Sequence, residues 1–188
     1  MCRYQIYDGE MKIKLYQDEV DSFMAKAYDK AQKYLKLAHD KSPYGFNHPH
    51  SHLVGLVAEY ASLLLFQNIE EVLNINLHID PVFQDNTRDS ECDIIVHGTR
   101  IEVKSIKYGA WLNYGPCISI KQLPKIKKKA DVILWALYNE KKREVTFKGF
   151  NKIQDIYKVP KLLTGPEGKQ IINYKVQDIL INLNELVL

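Results

Sequence analysis

The stretch CDIIVHGTRIEVKS, residues 92–105, decides the fold, because two short apolar runs flank a His-Gly pair at 97–98. Such a pair between alternating apolar segments is typical of a two-residue β-hairpin turn. With the turn at 97–98, Asp93 lies directly opposite Glu102; with the turn slipped by one residue, Asp93 lies opposite Lys104. Both registers place the two acids and the lysine on one face of the hairpin.

The other face of this hairpin carries four apolar side chains that a core can bury, namely Ile94, Val96, Ile101 and Val103. On the polar face, a buried carboxylate without a partner would cost several kcal/mol, and two facing acids repel each other. Lys104 supplies one counter-charge, and a divalent cation would supply the rest. Carboxylate ligands without a Cys or His cluster favour Mg²⁺, with Mn²⁺ as the second choice, over zinc.

Length and composition favour one domain, residues 1–188, with a substantial core, since 46% of the chain is hydrophobic. The N-terminus has no signal-peptide pattern, and the apolar run at 53–66 is shorter than the roughly 20 residues of a membrane span. The three cysteines form no pattern of a disulfide framework or a zinc ribbon. We therefore expect a cytoplasmic protein with no membrane partner.

Positive charge is concentrated in one part of the chain. Residues 100–152 hold 13 Lys and Arg against 4 Asp and Glu, a balance of +9, whereas the remainder holds 13 against 19, a balance of −6. Such an asymmetry indicates a surface that faces a polyanion. The alternative is that these lysines only solvate the outside of a sheet and its helices.

The periodicity of the remaining chain predicts helices first and then strands. An alternating pair of segments at 3–16 turns at Asp8-Gly9, a helix begins at Asp18, and an almost wholly apolar helix covers about 52–66. Residues 108–115 (YGAWLNYG) are predicted to form a loop, followed by a short lysine-rich helix. Further strands are expected at 75–79, 117–120, 131–139 and 143–150. This order favours an α/β fold of the mixed α+β kind, with a central mixed β-sheet flanked by helices.

Glu59 is the only charged residue between Leu53 and Phe66, in a helix that is apolar nearly all round. Such a helix is buried, so its single acid needs a partner. Glu59 could face the same site as the hairpin acids. The alternative is a structural acid, either at the helix surface or paired with an arginine.

Taken together, Glu59 on its helix, then Asp93, then Glu102-Val103-Lys104 resemble the PD-(D/E)xK nuclease superfamily. This superfamily includes restriction endonucleases, Holliday junction resolvases and repair or phage nucleases. The resemblance covers about residues 50–138, and it implies a restriction-endonuclease-like core with an N-terminal hairpin and helix and a C-terminal extension. Cys92 stands where the name-giving proline would be, which leaves the subfamily open.

The resemblance implies a Mg²⁺-dependent DNA endonuclease that hydrolyses phosphodiester bonds. Asp93 and Glu102 would bind the metal, with the Val103 carbonyl as a further oxygen ligand. Lys104 would orient the attacking water or stabilise the charge that develops on the phosphate. Glu59 would bind a second metal or help to activate the nucleophile.

A second set of side chains is assigned to DNA. Lysines beyond the strand at 117–120 can neutralise phosphates without reading bases, and aromatic rings near 108–114 can stack on bases. For these rings, closing the edge of the core is the alternative. The residues in this set are Lys107, Tyr108, Trp111, Lys121, Gln122, Lys125, Lys127 and Lys128.

Within the nucleases, a restriction-type or phage enzyme, a Holliday junction resolvase and a repair nuclease all suit this sequence. Cutting two strands with one site per chain favours a homodimer. The rival from another class is a non-catalytic nucleic-acid-binding module that keeps the basic face without cutting.

Overall fold

The computed structural model describes residues 4–7, 10–36, 49–85, 88, 91–155, 161–164 and 170–173. The helices within these residues are α1 (Gln17–Lys36), α2 (Pro49–Leu73), α3 (Tyr108–Tyr114) and α4 (Leu123–Lys129). The strands are β1 (Tyr4–Tyr7), β2 (Glu10–Lys14), β3 (Ile94–Val96), β4 (Thr99–Lys107), β5 (Cys117–Ser119), β6 (Val132–Asn139), β7 (Glu144–Lys152), β8 (Lys161–Thr164) and β9 (Gln170–Asn173).

The larger of two sheets has six strands in the order β1-β2-β7-β6-β4-β3. Strands β4 and β6 run parallel, and the other neighbouring pairs are antiparallel. A parallel pair needs a long crossover, which here contains α3, β5 and α4. A smaller sheet has the order β5-β9-β8. The predicted mixed α/β class with a central mixed sheet is therefore confirmed.

Both faces of the larger sheet are buried, which explains the continuous apolar run of β6. On one face, Ile101, Val103 and Leu134 belong to the main core with α1 and α2. On the other face, Ile133 and Trp135 form a second cluster with Ile126 of α4. The polar residues of the hairpin share this second face, because Glu102 pairs with Ile133 and Lys104 pairs with Trp135 across β4 and β6.

The apolar helix α2 is longer than the predicted 52–66, since it runs from Pro49 to Leu73. Asn74, at φ 51°, takes the left-handed conformation that commonly follows a helix end. By length and composition alone α2 could cross a membrane, but 61% of its apolar window is buried inside the fold. Burial of this extent is what a core helix requires.

Two local predictions were wrong. Residues 75–79 do not form a strand, because His78 at φ 47° interrupts the extended backbone. An isolated bridge joins the next residue, Asp80, to Ile95. Residues 108–114 form helix α3 rather than a loop, and this helix ends at Gly115, where φ is 63° and the N–H donates to the Trp111 carbonyl at 2.7 Å. Gly115 thus acts as a helix stop.

The hairpin adopts the first of the two predicted registers. Ile94 pairs with Ile101 and Val96 with Thr99, so the turn lies at 97–98. His97 and Gly98 have φ of 48° and 81°, and positive φ at both central residues is characteristic of a type I′ turn. The four apolar side chains of the hairpin are buried as expected, with Ile94, Val96 and Ile101 at 0% exposure and Val103 at 7%.

Substituting alanine for Gly98 is expected to destabilise the protein by about 1 kcal/mol, because an added Cβ would meet no atom within 4 Å and the cost is the positive φ alone. Gly109→Ala is the matched control, because that position is equally open but helical, so the free energy of unfolding should rise by about 0.5 kcal/mol. Urea unfolding of both variants measures the difference. Equal effects of the two substitutions would contradict this account of the turn.

Candidate active site

Asp93 lies just before β3, whose first residue, Ile94, pairs with Ile101. The Asp93 backbone N–H donates to the carbonyl of the same Ile101 at 3.0 Å, so the regular pairing ends at Ile94. The Val103 N–H donates to Asp93 Oδ2 at 2.7 Å. The Asp93 carboxylate is thus held against β4 by hydrogen bonds, with the Val103 peptide beside it.

Glu102 is almost completely buried, at 3% exposure, and is held between two lysines. Lys104 Nζ lies 2.6 Å from Oε1, and Lys129 Nζ lies 2.5 Å from Oε2. Each carboxylate oxygen of Glu102 therefore lies against one ammonium group.

Burial, followed by repulsion from Glu59 and Glu102, raises the pKa of Asp93 to about 8, and Lys104 and Lys129 only partly offset these effects. Burial also raises the pKa of Glu59; the nearby Lys30 opposes this, and Glu102 adds to it. The four predicted catalytic side chains therefore lie within electrostatic reach of one another. Three acids, Glu59, Asp93 and Glu102, and three lysines, Lys30, Lys104 and Lys129, act on one another at this site.

The donor set fits a hard divalent cation, which would bind carboxylate oxygens and relieve their mutual repulsion. Asp93 and Glu102 lie close enough to repel each other, which makes them the pair able to share such an ion. In the described part of the chain, no three His, Cys, Asp or Glu side chains form a ready-made metal site.

Lys129 belongs to this cluster, although the sequence prediction included it only in the basic segment 100–152. Leu123 and Ile126 are the buried residues of α4, and Lys129 follows Ile126 by three residues. This helical spacing places Lys129 beside the buried side of α4 but does not indicate its partner. Its side chain neutralises an acid instead of projecting into solvent.

The end of α4 is held against the start of β4 by Arg100. The Arg100 guanidinium contacts both carboxylate oxygens of Asp131, at 2.7 and 3.0 Å, and donates to the Lys128 carbonyl at 3.3 Å. The ion pair is exposed and so contributes little stability by itself. Its geometric effect is to fix the helix end that carries Lys129.

The predicted DNA-contacting residues fall into two groups. Lys107 and Tyr108 are exposed at the junction of β4 and α3, five residues or roughly 17 Å along the strand from Glu102. Trp111 is half-buried against the second apolar cluster, and Lys148 Nζ lies 5.9 Å from its ring centroid. The exposed residues around α4 are Lys121, Gln122, Lys125 and Lys128, whereas Lys127 is half-buried.

The structure therefore brings Glu59, Asp93, Glu102 and Lys104 together and adds Lys129, while Lys107 and Tyr108 lie apart from this cluster. For Trp111, the contact with the apolar cluster agrees with the alternative that its ring closes the core edge. Comparisons of the chain with protein-family models, with curated proteins and with solved structures found no match. The function is therefore inferred from the residues of the site alone.

Proposed function

We propose that the protein is a Mg²⁺-dependent endonuclease of the PD-(D/E)xK kind that hydrolyses phosphodiester bonds in DNA. The observation that carries the proposal is the cluster of three acids at the hairpin, where burial and repulsion from Glu59 and Glu102 raise the pKa of Asp93 to about 8. Acids whose pKa is strongly perturbed by burial and by neighbouring charges are concentrated at functional sites.

Each residue of the cluster has a distinct role in this proposal. Asp93 and Glu102 would hold the metal, which supplies Lewis-acid activation of the scissile phosphate and of a bound water. Lys104 is held beside Glu102 and is placed to stabilise negative charge that develops on the phosphate. Lys129 pairs with Glu102 in its buried position, and Glu59 would bind a second metal or help to activate the nucleophile.

A cleavage panel tests the proposal directly. Purified protein is incubated with supercoiled plasmid, linear duplex, single-stranded DNA and a four-way junction, with Mg²⁺, with Mn²⁺ and with EDTA. Metal-dependent cleavage of at least one substrate is expected, and the preferred substrate separates a restriction-type enzyme from a junction resolvase. Direct linearisation of plasmid would support a homodimer, because each chain has one site.

The rival proposal, a non-catalytic nucleic-acid-binding module, is favoured by one observation. Both oxygens of Glu102 already lie within 2.6 Å of an ammonium group, so the metal has to compete with Lys104 and Lys129. A module of this kind would bind all four DNAs and cut none of them under any metal condition. That result, obtained with folded protein, would replace the nuclease proposal.

The exposed lysines of α4 are expected to contact phosphates rather than bases. Lys125→Ala combined with Lys128→Ala should weaken binding to unrelated duplexes equally and reduce the slope of log K against log salt by about two units. Lys141→Ala combined with Lys142→Ala is the matched control, since these lysines are equally exposed in the β6–β7 turn. Fluorescence anisotropy at several salt concentrations measures both slopes, and an unchanged slope for the α4 pair would exclude it from the interface.

A further inference from the structure

A cavity of about 570 Å³ lies between α1, α2 and the short turn Val82–Gln84. Half of its lining residues are aromatic or aliphatic, and the others, Lys26, Asp29, Lys30 and Gln84, are charged or polar. The residues that matter for its chemistry are Phe23, Lys26, Lys30, Leu56, Tyr60 and Phe83. The volume is within the roughly 300–1,000 Å³ typical of sites for small ligands.

The aromatic walls are held in place before any ligand arrives. The rings of Phe23 and Tyr60 pack with their centroids 5.1 Å apart at an interplanar angle of 49°. The Tyr60 hydroxyl donates to Glu19 Oε1 at 2.9 Å, which fixes the orientation of that ring. Lys26 Nζ lies 5.6 Å from the centroid of Phe23, so a positive charge stands beside the aromatic wall.

This cavity adjoins the carboxylate cluster on two sides. The Phe83 N–H donates to the Asp93 carbonyl at 2.9 Å, so one wall of the cavity is bonded to the backbone of a proposed metal ligand. On the other side, Tyr60 directly follows Glu59, and the Lys30 charge acts on that acid. A ligand in the cavity would therefore lie next to the carboxylate cluster.

The charges of the rim favour an anion, because two lysines, Lys26 and Lys30, stand against one acid, Asp29. Aromatic faces suit a planar ring system, and every nucleobase offers such a face. A ligand that is planar at one end and anionic at the other meets both requirements. A nucleotide has this combination of properties.

We infer that the cavity binds one unpaired nucleotide of the DNA strand that the carboxylate cluster holds, which deepens the proposed nuclease function and rests on it. The base would pack among Phe23, Tyr60 and Phe83, and its phosphate would face Lys26 and Lys30. Such a nucleotide comes either from single-stranded DNA or from a base that leaves the duplex. The preferred substrate would accordingly contain an unpaired position.

The test measures binding of the wild-type protein in EDTA, so that no cleavage occurs. Four DNAs are compared: a paired duplex, the same duplex with one bulged thymidine, the duplex with an abasic bulge, and the single strand. The thymidine bulge should bind roughly tenfold more tightly than the abasic bulge, since stacking of one base is lost in the latter. Tighter binding of the single strand than of the bulge would identify single-stranded DNA as the source.

Two variants locate the effect. Lys26→Glu changes an exposed rim residue, and Phe83→Ala removes a wall, so both should abolish the preference for the base-containing bulge. Lys141→Glu, in the exposed β6–β7 turn, is the matched control and should keep the preference. Thermal melting verifies that each variant is folded. If Phe83→Ala does not fold, the result with Lys26→Glu decides the outcome.

Photocrosslinking with 5-iododeoxyuridine at the bulge gives an independent readout, with the crosslink expected at Phe83, Tyr60 or Phe23. Equal binding of all four DNAs with no effect of Lys26→Glu would overturn the inference and leave the nuclease proposal standing. A crosslink at Trp111 or Tyr108 instead would overturn it in the same way. Failure to bind any of the DNAs would overturn the inference, whereas the proposed function is decided separately by the cleavage panel in Mg²⁺.

Discussion

Replacing Asp93 by Asn is expected to abolish Mg²⁺-dependent DNA cleavage and, in metal-free buffer, to make the protein more stable. Asparagine can still accept the hydrogen bond from the Val103 N–H, which measures 2.7 Å, but it carries no charge. The substitution therefore removes a metal ligand. It also removes the cost of burying a charged group and its repulsion by neighbouring acids, the two effects that raise the pKa of Asp93 to about 8. At pH 7 the gain in unfolding free energy should be on the order of 4 kcal/mol, because about 3 pH units separate pH 7 from the ordinary pKa of 3.8 and each unit corresponds to about 1.4 kcal/mol.

The pH dependence of this gain has a definite sign. The folded-state pKa of Asp93, about 8, lies above its ordinary value of 3.8, so the unfolded chain releases this proton first. Wild-type stability should therefore fall as pH rises from about 4 to about 8, relative to Asp93→Asn. The charged groups that set this value are Glu59, Glu102, Lys104 and Lys129. Urea titrations of both proteins at pH 5 and pH 8 measure the difference.

Two results would contradict this prediction. Plasmid cleavage by Asp93→Asn at the wild-type rate would remove Asp93 from the active site. A stability difference that does not change with pH would show that the Asp93 carboxylate is not perturbed. Addition of Mg²⁺ gives a further measure, because the ion should raise the melting temperature of the wild type and not that of the variant.

Glu102→Gln is expected to abolish cleavage as well, but with the opposite effect on stability. The Glu102 carboxylate is 3% exposed and contacts two ammonium groups at 2.6 and 2.5 Å, so loss of its charge leaves both lysines without their main partner. Lys104 and Lys129 are 27% and 23% exposed, so water replaces part of that interaction. The loss in unfolding free energy should be about 1 to 3 kcal/mol rather than the 3 to 5 typical of fully buried pairs.

The two substitutions together form a double-mutant cycle. In Glu102→Gln, Asp93 loses the repulsion from Glu102, and the two lysines lose a competing carboxylate partner. The pKa of Asp93 should therefore fall, and part of the lost unfolding free energy should be recovered. The effects of Asp93→Asn and Glu102→Gln should accordingly not add. Additive effects on the unfolding free energy, or a Glu102→Gln variant as stable as the wild type at pH 7, would show that the acids and lysines of the site do not interact.

The hairpin could be predicted from the sequence because two independent signals agreed on it. Alternating apolar residues required one buried face, and the His-Gly pair at 97–98 required a two-residue turn. Once the turn is fixed, the positions of Asp93 and Glu102 follow from strand geometry alone. The same reasoning explains why the long apolar strand β6 and the hairpin of β1 and β2 were correctly located.

The failures came where tertiary contacts, rather than local pattern, determine the backbone. Residues 75–79 carry the composition of a strand, yet His78 takes a positive φ, and an isolated bridge to β3 is made by the next residue, Asp80. Helix α3 contains Gly109 and was mistaken for a loop, although Trp111 gives it an apolar contact with the second cluster. Short helices of this kind depend on packing, which a single sequence does not reveal.

Part of the site could not be predicted from the local sequence pattern. Lys129 is close to Glu102 only because α4 precedes β6, which then runs parallel to β4. No rule of sequence spacing connects residues in β4 and α4 across such a crossover. Glu59 could be singled out because an acid is conspicuous in an apolar helix, whereas Lys129 was one lysine among several neighbours.

The parallel pairing of β4 with β6 also determines when the cluster can exist. The acids Glu59, Asp93 and Glu102 leave the ribosome before Lys129, and contacts of such long sequence separation form late in folding. Until Val132–Asn139 joins the sheet, a nascent chain holds Glu102 without its α4 lysine and cannot bury that carboxylate favourably. The carboxylate cluster is thereby coupled to completion of the central sheet, so a partly synthesised chain would lack the assembled cluster.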